Sequence, residues 1–359
     1  MPPLDEFKIW DDYLDALRLT FEDALALGHI DRPIDIVIRQ TQGLPRGSVQ
    51  NVIRAYKELV EEGCVCILRP LISENAVDLR LYVDSAPADM RVPFIGWFGT
   101  EDALSDWGFE LNNGGHPEEA ATIASIMQQD GVHSTVAIIE KSLIGLHYLK
   151  FFRDAGDIYK IDVLGVIEVP PIEADKTQAI AAAKATGAQS ILLFGFGYGT
   201  WGINSGMKSN NWVVPVYGAT NYLACHFSKD WMEQLANVTG LDQYDERNAV
   251  GQQFLDRFST KFGRRPGYYI PLYGYDSARI IVDAVRRAEP LSPRGVRDSL
   301  ERVKAIPAAC RAPGTWLKFG RYVHQGWMGA GFLVARKVNA QGTKTVFRGI
   351  IEPPTKLAL

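Results

Sequence analysis

Cysteine is scarce, with four in 359 residues, too few to staple a fold by disulfides. Cys64 and Cys66 stand two apart in an apolar run and read as core thiols. No apolar run reaches the roughly 20 residues that span a bilayer, and Ile191 to Ile203, the longest, is broken by glycines. The opening MPPLDEFKIWDD has neither the basic region nor the apolar segment of a secretory signal. As written, the chain is expected in the cytoplasm, and in the periplasm or another extracytoplasmic space if the N-terminus is incomplete. Positive charge is not in excess, since 38 Lys and Arg against 42 Asp and Glu leave a net charge of −4. Nucleic acid is therefore not an expected partner, and neither is direct insertion into a membrane. There is no P-loop, HExxH or GxSxG motif. The histidines His29, His116, His133, His147, His226 and His324 have no metal-ligand spacing and read as surface or satisfied residues. With no nucleophile beside a base, the expectation is a protein that is not an enzyme and needs no cofactor or metal.

What is present is a large apolar fraction, 47%, and a length that predicts two domains. Trp10, Leu14, Leu17, Phe21 and Leu25, with Phe7 before them, mark one buried helix face ending at Gly28. Strand-like runs follow: IDIVIR (34–39), a GLPRGS turn, CVCIL, VPFIGW and TVAIIE, with helical segments between them. A second array repeats the scheme through KIDVLGVIEV, an alanine-rich helix, SILLFGF and VVPVYGA, with helices at 231–236 and 252–262. A long helix over 273–288, another begun by SPRGVRDSL, and terminal strands near 316–319, 328–335 and 345–350 complete the chain. Continuous apolar strands alternating with helices specify an α/β fold with parallel sheets covered on both faces. An alternation of this kind ordinarily starts on a strand, whereas this chain starts on a helix. No linker separates the halves, which predicts lobes joined by several crossovers.

In open α/β sheets ligands bind beyond the carboxyl ends of the strands. That rule selects Ser73, Glu74 and Asn75, then Trp97, Phe98, Gly99 and Thr100. Further along it selects Glu140 and Ser142, Phe196 to Trp201, and Thr220, Asn221 and Tyr222. Ser73 and Thr100 could equally be helix caps, and Trp97, Tyr198, Trp201 and Tyr222 could equally be packing residues. Residues 197–202 spell GxGxxG after a strand, which would suit a nicotinamide-dependent oxidoreductase. The acid such a site needs about 20 residues on is missing, because the next strand ends in Gly218, Ala219, Thr220 and Asn221.

Taken in order, ELVEEGCVCILRPLISENA, RVPFIGWFGT, EEAATIASIMQQDGVHSTVAIIEKSLIG, AIAAAKATGAQSILLFGFG, YGYDSARIIVDAVRRA and GTWLKFG resemble one family over nearly the whole chain. It is the type I solute-binding proteins of ABC importers, in the leucine/isoleucine/valine-binding group. The resemblance implies two Rossmann-like lobes joined by hinge crossovers, lobe 1 being 1–115 plus 244–315 and lobe 2 being 116–243 plus 316–359, closing on a small ligand. It also implies that the first strand of lobe 1 is missing here. Ser73, Asn75, Phe98, Gly99 and Thr100 would grip a carboxylate, while Trp97, Phe196, Tyr198, Thr220 and Tyr222 would complete the ligand site. The family's acid that holds an amino group falls at Thr220, so the expected ligand is a small apolar or aromatic carboxylate or amide. The expected partner is an ABC permease. The alternative is a cytoplasmic sensor of the amide-receptor type with a regulatory partner.

Overall fold

The structure, a computed structural model, describes residues 9–41, 48–111, 115–170, 173–328 and 333–351. The chain divides into two compact units. Lys8–Asn113 and Tyr244–Ala330 form the first, while Met1–Phe7, Gly114–Gln243 and Gly331–Leu359 form the second.

The first unit opens with α1 (Ile9–Ala26), which buries Tyr13, Leu17 and Phe21 at the helical spacing read from the sequence. Gly28, at φ +70°, turns the chain out of it. Helix α2 (Val49–Glu61) starts at Ser48, whose hydroxyl accepts from the Asn51 N–H at 3.4 Å. Then come β1 (Ile67–Leu68), α3 (Ser73–Ser85), β2 (Phe94–Gly96) and β3 (Gly108–Glu110). The three strands lie parallel in the order β1-β2-β3, over a core that includes Leu79, Val83, Phe94 and Phe98.

Two expectations need correction here. Residues 34–39 are irregular rather than a strand, because β-branched residues favour a pleated surface only where a neighbouring strand supplies the ladder. Cys64 and Cys66 are half-buried rather than core thiols. Phe7 and most of the GLPRGS turn lie outside the described residues.

The second unit begins with α4 (His116–Gln129), which has Pro117 in its first turn and Glu118 and Glu119 at the positive end of its dipole. Strand β4 (Ser134–Glu140), α5 (Leu143–Tyr159), β5 (Asp162–Val169), α6 (Thr177–Ala185), β6 (Ile191–Phe194), α7 (Ile203–Ser209) and β7 (Val216–Gly218) follow. A 3-10 segment (Thr220–His226) and α8 (Lys229–Gln234) lead to β8 (Val238–Asp242). The sequence reading did not foresee β8, since NVTGLD is short, carries a glycine and lacks an apolar run.

The chain then returns to the first unit as α9 (Ala249–Phe262), α10 (Ile270–Arg287), α11 (Pro293–Leu300) and the antiparallel strands β9 (Ile306–Pro307), β10 (Trp316–Leu317) and β11 (Trp327–Met328). Residues 316–328 were expected in the other lobe. They fold with the first unit because β10 pairs with β9 and because Leu317 and Phe319 are fully buried.

Strands β12 (Leu333–Val338) and β13 (Thr345–Ile351) close the second unit's sheet, whose order is β13-β12-β8-β7-β6-β4-β5. Pairing is parallel from β8 to β5 and antiparallel where β12 joins. Every residue of β6, and all of β4 after Ser134, is buried, as expected for strands covered on both faces.

One buried carboxylate fixes the first unit's C-terminal part. Asp276 of α10 accepts from the N–H groups of Ala309 (2.9 Å) and Cys310 (3.0 Å) and pairs with Arg279. From the other side, Asn248 donates its amide to Ala308 O at 2.9 Å and Arg311 O at 3.0 Å while capping α9. Asp276→Ala leaves those two N–H groups and Arg279 without their acceptor. The expected loss is about 3 kcal/mol or more in urea denaturation, with Asp276→Asn losing less.

Candidate ligand-binding site

In the second unit, β4 has β5 on one side and β6 on the other, so the chain runs outward in both directions from the β4/β6 junction. Loops leaving the carboxyl ends of those two strands therefore diverge, and a crevice opens between them. Glu140 ends β4 there, 3% exposed. Its Oε2 accepts from the Phe196 N–H at 2.8 Å, and its Oε1 accepts from Gly197 at 2.9 Å and Gly199 at 2.6 Å. Burial raises the carboxyl pKa above its ordinary value, and the three N–H groups and Lys176 oppose that rise.

The glycines are needed for close approach. A side chain at Gly195 would collide with the Glu140 carboxyl carbon, and one at Gly199 would meet its Cγ at 2.6 Å. Gly197, at φ +110°, sets the loop's turn. The GxGxxG spacing thus builds an anion nest, but the anion is the protein's own carboxylate. N–H groups that would bind a dinucleotide pyrophosphate are already engaged, which removes the basis of the oxidoreductase reading.

Next to this loop, Tyr198 is 1% exposed and meets Trp231 edge-on at 5.7 Å, with Phe227 beyond. Trp201 reaches the same Trp231 at 4.9 Å. Phe196 is half-buried against the sheet core. The turn after β7 brings Asn221 and Tyr222 to the same strand edge. Tyr222 is fully buried, its ring lying where a side chain on Gly240 would be. Neither the Tyr222 hydroxyl nor either amide atom of Asn221 has a hydrogen-bond partner among the described residues. The Thr220 side chain lies outside the described part.

At the end of β8, Asp242 is fully buried and holds His226 Nε2 at 2.8 Å. Burial works against charge on His226, but Cys225 and Asp242 outweigh it and raise the pKa to about 10. His226 is thus a satisfied residue. His116 behaves oppositely. It is 1% exposed, neither ring nitrogen has a partner among the described residues, and burial, helped by His147, lowers its pKa to about 3.

The first unit has its own set at the carboxyl ends of β1 and β2. Ser73 and Asn75 open α3 at 1% and 3% exposure, and Ser73 Oγ and Asn75 Oδ1 have no partner among the described residues. Ser73 is not the helix cap, since the N-cap position is Ile72 and no side chain caps it. The first N–H groups of α3 have no acceptor within the helix. Thr100 does act as a cap, accepting from the Asp102 N–H at 3.3 Å, and Gly99 before it is half-buried. Phe98 lies inside the core against Phe94. Trp97 stacks on Tyr273 at 4.7 Å and meets Tyr269 at 5.6 Å. Ser73 Oγ and Asn75 Oδ1 are thus buried oxygens without a partner among the described residues, whereas Trp97, Phe98 and Tyr198 have packing roles. Sequence reasoning flagged Glu140 without its task and missed Asp242, whose signal, an acid at a strand end, was hidden with β8.

Among the described residues no group of three or more His, Cys, Asp or Glu is placed to hold a metal ion, and no helix is long and apolar enough to cross a membrane. Residues 9–331 match the family described as periplasmic binding protein, and the chain belongs to that family of ligand-binding proteins. Solved structures share the fold over nearly the full length. A type 1 periplasmic binding protein from Bordetella pertussis Tohama I is 18% identical, with a TM-score of 0.80, covering 98% of this chain and 97% of that one. A leucine binding protein, LivK, from Thermotoga maritima MSB8 is 13% identical, with a TM-score of 0.80 and coverage of 96% and 95%. A branched chain amino acid ABC transporter protein from Thermus thermophilus, solved with bound valine, is 16% identical, with a TM-score of 0.77 and coverage of 98% and 93%. No curated protein matches the chain.

Two outcomes test this description. Glu140→Ala leaves three buried N–H groups without an acceptor and is expected to cost roughly 3 kcal/mol or more in chemical denaturation, with loss of protection against hydrogen exchange at residues 196–199. For His226, the folded pKa of about 10 lies above its ordinary 6.5. The stability it contributes is therefore full below the ordinary value and is lost as pH rises through the folded one. Urea midpoints at about pH 6 and pH 10 should differ more for the native chain than for His226→Gln, and equal differences would exclude a stabilising charged His226.

Proposed function

We propose that this chain is the solute-binding component of an ABC importer of the branched-chain amino acid type, working outside the cytoplasmic membrane and delivering a small apolar or aromatic carboxylate or amide to a permease. The observation that carries the reading is the pair of buried, unpartnered oxygens, Ser73 Oγ and Asn75 Oδ1, beside the uncapped N-terminus of α3. A buried polar atom without a partner costs about 1 to 3 kcal/mol, so it persists where a ligand or water satisfies it. Helix N–H groups together with a hydroxyl and an amide suit a carboxylate or amide oxygen. On the same unit, Gly99 and the Thr100 hydroxyl follow the neighbouring strand β2 and are the further polar groups of the reading.

Charge disfavours an ammonium group on the ligand. In the second unit both carboxylates at the strand ends are engaged, Glu140 by three backbone N–H groups and Asp242 by His226. Position 220 holds threonine. A buried ammonium would have no carboxylate counterpart there and would be strongly disfavoured. The valine-bound Thermus thermophilus protein supports the importer class, and the ligand proposed here differs from valine in lacking the amino group.

Calorimetric titration of a panel of branched and aromatic carboxylates, their amides and the matching amino acids tests the reading. Carboxylates or amides are expected to bind and the amino acids to bind more weakly. Ser73→Ala combined with Asn75→Ala should weaken binding by about 2 to 4 kcal/mol while leaving the unfolding midpoint of the free protein nearly unchanged, because those oxygens have no partner to lose among the described residues. An unaltered affinity, or a preference for the amino acids, contradicts the assignment.

A further inference from the structure

Arg69 stands at the carboxyl end of β1, where it opens the short connection whose other end carries Ser73 and Asn75. Its guanidinium is held by rings rather than by an acid. The guanidinium carbon lies 4.9 Å from the centre of the Trp10 ring, 4.4 Å from that of Tyr13 and 5.2 Å from that of Trp97. These rings brace one another: Trp10 meets Trp97 edge-on at 6.1 Å, and Tyr13 and Trp97 both stack on Tyr273. The cage is thus assembled from α1, the loop after β2 and α10, which is why no local pattern around position 69 announces it in the sequence.

Ring faces stabilise the charge but leave the in-plane N–H groups of the fork to find an acceptor elsewhere. Among the described residues none is found. Nη1 of Arg69 is buried without a hydrogen-bond partner, and no carboxylate there pairs with the side chain. An acid in that place would neutralise the guanidinium and compete with any anion that approached. Rings hold it in position and leave its charge available.

Arg69 and Asn75 line one cavity of about 720 Å³ in the first unit, together with apolar side chains that include Leu14, Leu17 and Ile72. The other charged groups on its lining are spent or turned outward. Arg32 pairs with Asp31, Arg39 pairs with Glu58 and Glu62, and Asp35 is exposed. A cavity of this composition suits a molecule with an apolar body and one group complementary to the guanidinium. A carboxylate is complementary, since its two oxygens match the planar fork bidentately. A primary amide offers one acceptor oxygen, and its NH2 group would face the N–H groups of the fork, donor against donor.

We propose that Arg69 is the specificity-determining residue of the ligand site, its caged guanidinium pairing with the carboxylate of an apolar or aromatic acid and rejecting the corresponding amide. This inference rests on the functional reading above, which admits both carboxylates and amides, and narrows it to acids.

Calorimetric titration of the full chain with two matched pairs, isocaproate against isocaproamide and hydrocinnamate against hydrocinnamamide, reads the selectivity. In the native chain each acid is expected to bind at least about 30-fold more tightly than its amide. Arg69→Gln should weaken the acids by about 100-fold and the amides by less than about threefold. Arg69→Lys, which keeps the charge without the fork, should retain part of the preference. The native ratio needs no variant, so the proposal is tested even where Arg69→Gln does not fold. Equal binding of acid and amide by the native chain overturns it, and so does an Arg69→Gln protein in which both weaken alike, the result of a purely structural Arg69. Both of those results leave the functional reading standing. Failure of all four probes to bind the native chain overturns that reading and this inference with it.

Discussion

In a parallel sheet every strand must end on the same edge, and each return must cross over through a helix. The second unit obeys this from β5 through β8, and the rest of its organisation depends on that constraint. The loops that leave β4, β6, β7 and β8 are forced to one edge, where they bring Glu140, Phe196, Asn221, Tyr222 and Asp242 together although as many as 102 residues separate the first from the last in sequence (242 − 140). Polar groups collected at a buried edge must each find a partner. Glu140 finds the glycine loop and Asp242 finds His226. The Asn221 amide and the Tyr222 hydroxyl find none among the described residues.

The Glu140 arrangement shows how a motif is read by its surroundings. Glycines at 195, 197, 199 and 202 give a loop whose N–H groups converge, and convergent N–H groups bind an anion of any origin. Here β4 lies beside β6, so the acid at the end of β4 reaches the loop before any phosphate could. The spacing of the glycines is visible in the sequence, whereas the neighbour that fills the loop is decided by strand order.

The α/β class, the helix faces of α1, α2 and α10, and most strands of the second unit were legible because buried parallel strands are continuous apolar runs and helices repeat every three to four residues. Strands β3 and β8 were not, being short, polar at their ends and glycine-containing, so that only their neighbours make them strands. Residues 34–39 failed in the opposite sense. Their pattern is that of a strand, but no strand pairs with them among the described residues. Ser73 and Thr100 looked alike as serine or threonine after a strand, yet Thr100 caps a turn and Ser73 does not. The difference lies in backbone geometry one residue away.

By itself, then, the sequence determined the periodicities: which residues belong inside, where helices start and stop, and which strand ends carry hydroxyls, amides and aromatics. These are local, set by side-chain volume, capping chemistry and backbone preference. Tertiary structure decided which of those candidates are free to act. Trp97, Phe98 and Tyr198 are held among other rings, Glu140 and His226 are engaged, and Ser73 Oγ and Asn75 Oδ1 have no partner among the described residues. Partnership is a non-local property, because a hydrogen bond is spent on whichever group the fold brings within about 3 Å, and no spacing along the chain encodes that distance.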